Sequence, residues 1–124
     1  MSTLRKQLAA ALTEVFPARR YKVEASLGTV DNLGKPLIQL EQAEIEPSPS
    51  ARGLALVTLR VHVVTHLAGV TPAADDAIDA LGVEVFEALA RIPWVNPVRG
   101  EKAVYKDRHL SYIITTQILT TRSK

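Results

Sequence analysis

The sequence predicts an α+β domain in which a mainly antiparallel β-sheet carries two amphipathic helices on one face, in the order α-β-β-β-α-β-β. Three observations predict it. Two segments repeat apolar residues at helical spacing, the other ordered segments alternate apolar and polar residues one by one, and the Gly-, Pro- and Ser-rich stretches fall between them.

The first helix is expected over residues 2 to 15, where Leu4, Leu8, Ala11, Leu12 and Val15 form one stripe and Pro17 ends the run. Residues 21 to 27 then alternate, with Tyr21, Val23, Ala25 and Leu27 facing one way, which predicts a half-buried strand. Residues 28 to 36 are a loop by their Gly, Asp-Asn and Pro content. In the next strand Ile38 and Leu40 share a face while Ala43 and Ile45 fall out of phase, so a bulge near Glu41 and Gln42 is needed to keep all four on the core side. Residues 46 to 53, EPSPSARG, read as the exposed tip of a long hairpin.

The longest strand starts at Ala55. Its odd positions Val57, Leu59, Val61, Val63 and Leu67 are apolar and its even positions Thr58, Arg60, His62 and His66 polar, a period of two that no helix produces. Thr71-Pro72 opens a second helix, whose stripe runs Ala74, Ala77, Ile78, Leu81, Val85, Ala88, Leu89 and Ile92 until Pro93 stops it. Asp75, Asp76 and Asp79 lie near the positive end of its dipole and Arg91 near the negative end. After a Pro-punctuated loop, a closing pair of strands is expected over roughly 102 to 106 and 110 to 121, with Leu110, Tyr112, Ile114 and Ile118 inward.

Composition bounds the function. A chain of 124 residues with 47% hydrophobic and 23% charged residues suits one globular domain, residues 1–124. The absence of cysteine excludes disulfides, thiolate zinc sites and thiol nucleophiles, and fits synthesis in a reducing cytosol. No apolar run approaches the ~20 residues that span a bilayer, and no secretory leader pattern opens the chain, so a soluble protein without a membrane partner is expected. A formal charge of +2, thinly spread, is too weak a field for nucleic-acid binding as the main task.

No cofactor, metal or catalytic residue is predicted. On a strand, His62 and His66 stand ~13 Å apart, too far to share an ion; they read as two polar residues on the less buried face. Gly28 and Gly34 are separated by five residues and Pro36 follows Lys35, so the phosphate-loop spacing fails twice. Asp75, Asp76 and Asp79 are explained by capping and dipole effects, with a weak cation site as the alternative. Ser48, Ser50, Ser111 and His109 lack the surroundings of a hydrolytic triad. Trp94 either plugs its own core or anchors an interface, since a rigid aromatic in a Pro-fixed loop loses little entropy on binding. Exposure singles out the interface candidates: Asp31, Asn32 and Lys35 in the first loop, Pro47, Ser48, Pro49 and Arg52 at the hairpin tip, and Trp94.

The whole arrangement resembles the tail terminator proteins of long-tailed bacteriophages. The likeness rests on LRKQLAAAL, IEPSPSARG, LALVTLRVHVVTHLAG, TPAADDAIDALGVEVFEAL and YIITTQILTT in that order, on size and element order rather than on a catalytic signature. It implies a non-enzymatic homo-oligomeric ring, typically hexameric, in the virion neck, assembled in the host cytoplasm. Such a ring caps the tail tube protein, stops its polymerisation and presents its other face to a head-completion or connector protein, while DNA passes through without specific binding. Rival readings are a neighbouring connector or head-closure subunit, and a small cellular enzyme or ligand-binding domain using the face with His62 and His66.

Overall fold

The computed structural model describes residues 3–28, 33–49, 52–105 and 108–121. Its elements are α1 (Leu4–Val15), β1 (Lys22–Glu24), β2 (Leu37–Pro47), β3 (Leu54–Ala68), α2 (Pro72–Ala90), β4 (Asn96–Tyr105) and β5 (His109–Thr121). The α+β class and the element order are those the sequence predicts. One sheet runs β1-β2-β3-β5-β4, antiparallel throughout except for the parallel pair β1 and β2.

β3 takes the centre because its 15 residues contain no Gly or Pro to interrupt pairing on either side. Register then fixes the faces, since paired residues share one. Leu40 pairs with Val61 and Val61 with Ile114; Ile38 pairs with Val63 and Val63 with Tyr112. These positions, with Val57, Leu59 and Ile118, form one core with Leu8, Leu12 and Phe16 of the α1 segment and Ala74, Ile78, Val85 and Leu89 of α2. Where alternation puts polar Thr116 on this core face, its hydroxyl donates to the Leu59 carbonyl at 2.9 Å, so burial leaves no orphan oxygen.

Both helices start on a threonine cap, Thr3 accepting from the Lys6 amide at 3.2 Å and Thr71 from the Ala74 amide at 3.1 Å. Mid-helix Gly82 is there for close approach: a Cβ on it would meet Tyr112 Cδ2 at 2.8 Å. At the hairpin tip, Gly53 adopts φ +79°, a conformation open to few other residues.

Several boundaries and faces differ from expectation. Residues 25 to 27 leave the ladder because Arg5 donates to the Ala25 carbonyl at 2.9 Å and reaches Ser26 Oγ at 3.0 Å, drawing the chain toward α1. β4 begins at Asn96, inside the stretch read as a loop; Pro97 is tolerated because β4 is an edge strand. The hairpin strands extend to Pro47 and from Leu54, so the tip is shorter than residues 46 to 53. The bulge in β2 falls at Ala43, one residue past the expected place, and sets Ile45 opposite core residue Val57, yet Ile45 is 64% exposed because it lies beyond the packed region. Phe16, not Val15, is the buried end of the first helical segment, its ring edge-on to Tyr21 at 5.0 Å. A register shift between Val64 and Ala68 ends the alternation of β3, so His66 lines a groove with Ala77, Ala80, Leu81 and Glu84 of α2 and does not share a face with His62.

Candidate functional site

At the hairpin end of the sheet the chain leaves α2 through a tight turn, with the Ile92 amide bonded to the Leu89 carbonyl and the Val95 amide to the Ile92 carbonyl, both at 3.1 Å. This turn aims Val95 into the core and Trp94 outward, 39% exposed. Val95 is therefore the plug the sequence suggested for Trp94. The indole borders a groove of about 430 Å³ whose other walls are Leu56 and Leu119, Ser48 and Pro49, and Asn96 and Gln117. Leu56 and Leu119 are cross-strand partners on the face opposite the core, and Leu119 is 52% exposed.

Three interface candidates, Ser48, Pro49 and Trp94, thus meet around one apolar groove. Pro47 and Arg52 are exposed beside it, Pro47 paired with Ala55 and Arg52 in the turn. Lys35 is elsewhere: its ammonium binds the Ala18 carbonyl at the opposite end of β2, roughly 35 Å away along the strand. Asp31 and Asn32 lie outside the described residues. Leu56 and Leu119 escaped sequence reasoning. Alternation alone marks them as outward, but only the register shows that they are neighbours of each other and of Trp94.

The face opposite the core continues from this groove into a polar trough of about 430 Å³ spanning β2, β3, β5 and β4, lined by Glu44, Thr58, Arg60, His62, Arg99, Glu101, Thr115 and Gln117. His62 Nε2 lies 3.0 Å from Glu41 Oε1, and Arg60 lies 3.9 Å from the same oxygen. A histidine held by a carboxylate is half of a general-base arrangement. Its neighbours alternate in sign, Arg60 and Arg99 against Glu41, Glu44 and Glu101, so the trough recommends no ligand of either charge. At its far end the segment after β1 crosses this face, where the Gly28 carbonyl accepts from Gln39 Nε2 at 3.0 Å and from the Tyr105 hydroxyl at 2.9 Å.

The acidic start of α2 is occupied by the protein's own cation. Lys102 of β4 bridges Asp75 and Asp79, 2.9 Å from the latter, and lies 5.8 Å from the Tyr112 ring centroid. The Tyr112 hydroxyl donates to Asp79 at 3.0 Å. The Lys102 ammonium, then the Tyr112 hydroxyl, hold the Asp79 carboxyl below its ordinary range. Asp75 and then Asp79 raise Lys102 above the usual lysine range, and Asp79 likewise raises Tyr112. Among the described residues no three His, Asp or Glu side chains converge as metal ligands, and no helix is long and apolar enough to cross a membrane.

The chain matches no protein-family model and no curated protein.

Proposed function

We propose that this chain is a structural subunit of a phage tail terminator ring, acting through surfaces, with both helices on the core-bearing face of the sheet and the opposite face left for partners. The observation that carries this reading is the groove formed by Trp94, Leu56, Leu119 and Pro49, an apolar patch held open at one end of the sheet by a hairpin and a Pro-fixed turn. Rigid aromatic anchors next to aliphatic side chains are the usual centre of a protein interface. A ring of such subunits would cap the tail tube with one rim and meet a head-completion or connector protein with the other. A mild +2 charge suits a channel through which DNA must slide, since dense phosphate contacts would hold it. The tip of residues 47 to 52 and Trp94 are then contact elements.

A ligand-binding or enzymatic reading has one observation in its favour, the His62 and Glu41 pair in the polar trough. It loses the second histidine, because His66 borders α2 instead. A head-closure or connector subunit would use the same groove and differs in which virion part it binds.

Light scattering after size exclusion, then negative-stain imaging with purified tail tubes, tests the proposal. Closed rings, alone or on tube ends, and loss of tube capping on Trp94→Ala with unchanged folding are expected. A persistent monomer indifferent to tubes overturns it. Rings that bind head connectors but leave tubes growing would favour the connector alternative.

A further inference from the structure

We propose that copies of this chain join edge to edge, the free outer edge of β2 in one copy pairing antiparallel with β4 of the next. This rests on the ring reading above and supplies the joint of that ring. Among the described residues β1 covers β2 only at Leu37, Ile38 and Gln39. Thr3, Arg5 and Leu27 flank Leu40, Glu41 and Gln42, which leaves residues 43–47 as the accessible run among the described residues. β4 is paired on one side alone, with β5. The outward N–H and C=O groups of both edges therefore await water or another chain.

Charge selects the partner. β2 carries Glu41, Glu44 and Glu46 and no base; on β4, Lys102 is held by Asp75 and Asp79, which leaves Arg99, whose exposed pair with Glu101 at 3.3 Å can be exchanged for a glutamate of β2. Glu41 is answered within the chain by His62 and Arg60, but Glu44 and Glu46 have no ion pair among the described residues. Two β2 edges would oppose like charges; β2 against β4 opposes unlike ones.

Direction agrees. Three successive antiparallel steps, β2 to β3 to β5 to β4, leave β2 and β4 running opposite ways. A neighbour turned about an axis along the strands thus presents β4 antiparallel to β2 without being inverted, a head-to-tail contact of the kind that closes into rings. An antiparallel register that sets Arg99 opposite Glu44, both on the trough face, passes over the bulge residue Val98 and sets Pro97 opposite Ile45, 64% exposed, both on the core face. Register shifts at Ala43 and Val98, with Pro47 and Pro97, are devices that blunt an edge against indiscriminate pairing. They also bend the strands, which a closed joint requires and a flat fibre does not.

The cysteine-free chain makes the test clean. An Ile45→Cys protein is mixed with a Pro97→Cys protein under mild oxidation, and each is also oxidised alone. Crosslinked dimers are expected in the mixture only, and a chain carrying both substitutions should give a ladder that ends at the ring. No crosslink in the mixture, or equal crosslinking in the separate samples, overturns the joint. In parallel, Glu44→Arg or Arg99→Glu should raise the concentration needed for assembly about tenfold, and the double reversal should restore it. Circular dichroism confirms folding of each variant, and failure of the double reversal to restore assembly counts against the joint. Rings without the crosslink would leave the ring reading standing and remove this joint. A crosslinked ladder that fails to cap tubes would do the opposite.

Discussion

The two faces of β3 make opposite demands on the same strand. On one, Val57, Leu59, Val61 and Val63 are buried in the core cluster that also holds residues of both helical segments; on the other, Arg60 and His62 line an open trough and Leu56 borders the Trp94 groove. The first face leaves no room for error and the second leaves room for partners. A packed face and an open face therefore alternate along one strand, at a spacing of a single residue.

The sharpest way to break this contrast is a charge on the core face. Val61→Asp buries an unpaired carboxylate in a fully buried site, which costs several kcal/mol, about the scale of the domain's whole stability. The variant should lack cooperative thermal unfolding by circular dichroism; a folded, soluble product would show that the strand phase is wrong.

Gly82→Ala comes next. Overpacking against Tyr112 costs about 1–3 kcal/mol and the gain in helix propensity returns about 1, so a net loss near 1 kcal/mol is expected in urea unfolding. In a Tyr112→Ala background the same change should stabilise. Destabilisation in both backgrounds would mean that the close approach is not the cause.

A smaller effect is expected at the rim, for Lys102→Met. Asp79 is depressed, so its contribution is present above the ordinary carboxylate range and fades as pH falls through its lowered value. Lys102 is raised, so its contribution is complete below the ordinary lysine range and fades only as pH rises through its raised value. Between those limits the bridge holds. The variant should melt slightly lower at neutral pH and lose part of the wild-type decline in acid. Parallel curves down to acid pH would remove the bridge from the account.

Least of all should change with Arg60→Gln on the trough face: within about 0.5 kcal/mol of wild type, because the side chain is half exposed and its ion pair long, at 3.9 Å. A loss as large as that of Gly82→Ala would make the trough part of the structural frame.

Much of the fold was legible in the chain because its signals are local. The alternation of β3, the Thr71-Pro72 start of α2 and the stop at Pro93 each depend on residues within one turn or one pleat of each other. Less legible were features that depend on distant groups. Residues 21 to 27 alternate like a strand but are cut short by Arg5, and Pro97 looked like a loop residue until its position at an edge made it harmless. Trp94 stood out from the sequence as an unusual residue; Leu56 and Leu119, ordinary leucines far apart in the chain, did not.

By itself, then, the sequence determined the class, the order of elements and which side of β3 is apolar, since periodicity and breaker residues act over a few positions. Only the tertiary structure decided that Val95 and not Trp94 fills the core, that His62 and His66 part company, and that Ser48, Pro49, Leu56, Trp94 and Leu119 form one groove. The first depends on the turn that follows α2, and the other two on strand register and bulge position, which shift a side chain to the other face by one residue and leave almost no mark in composition.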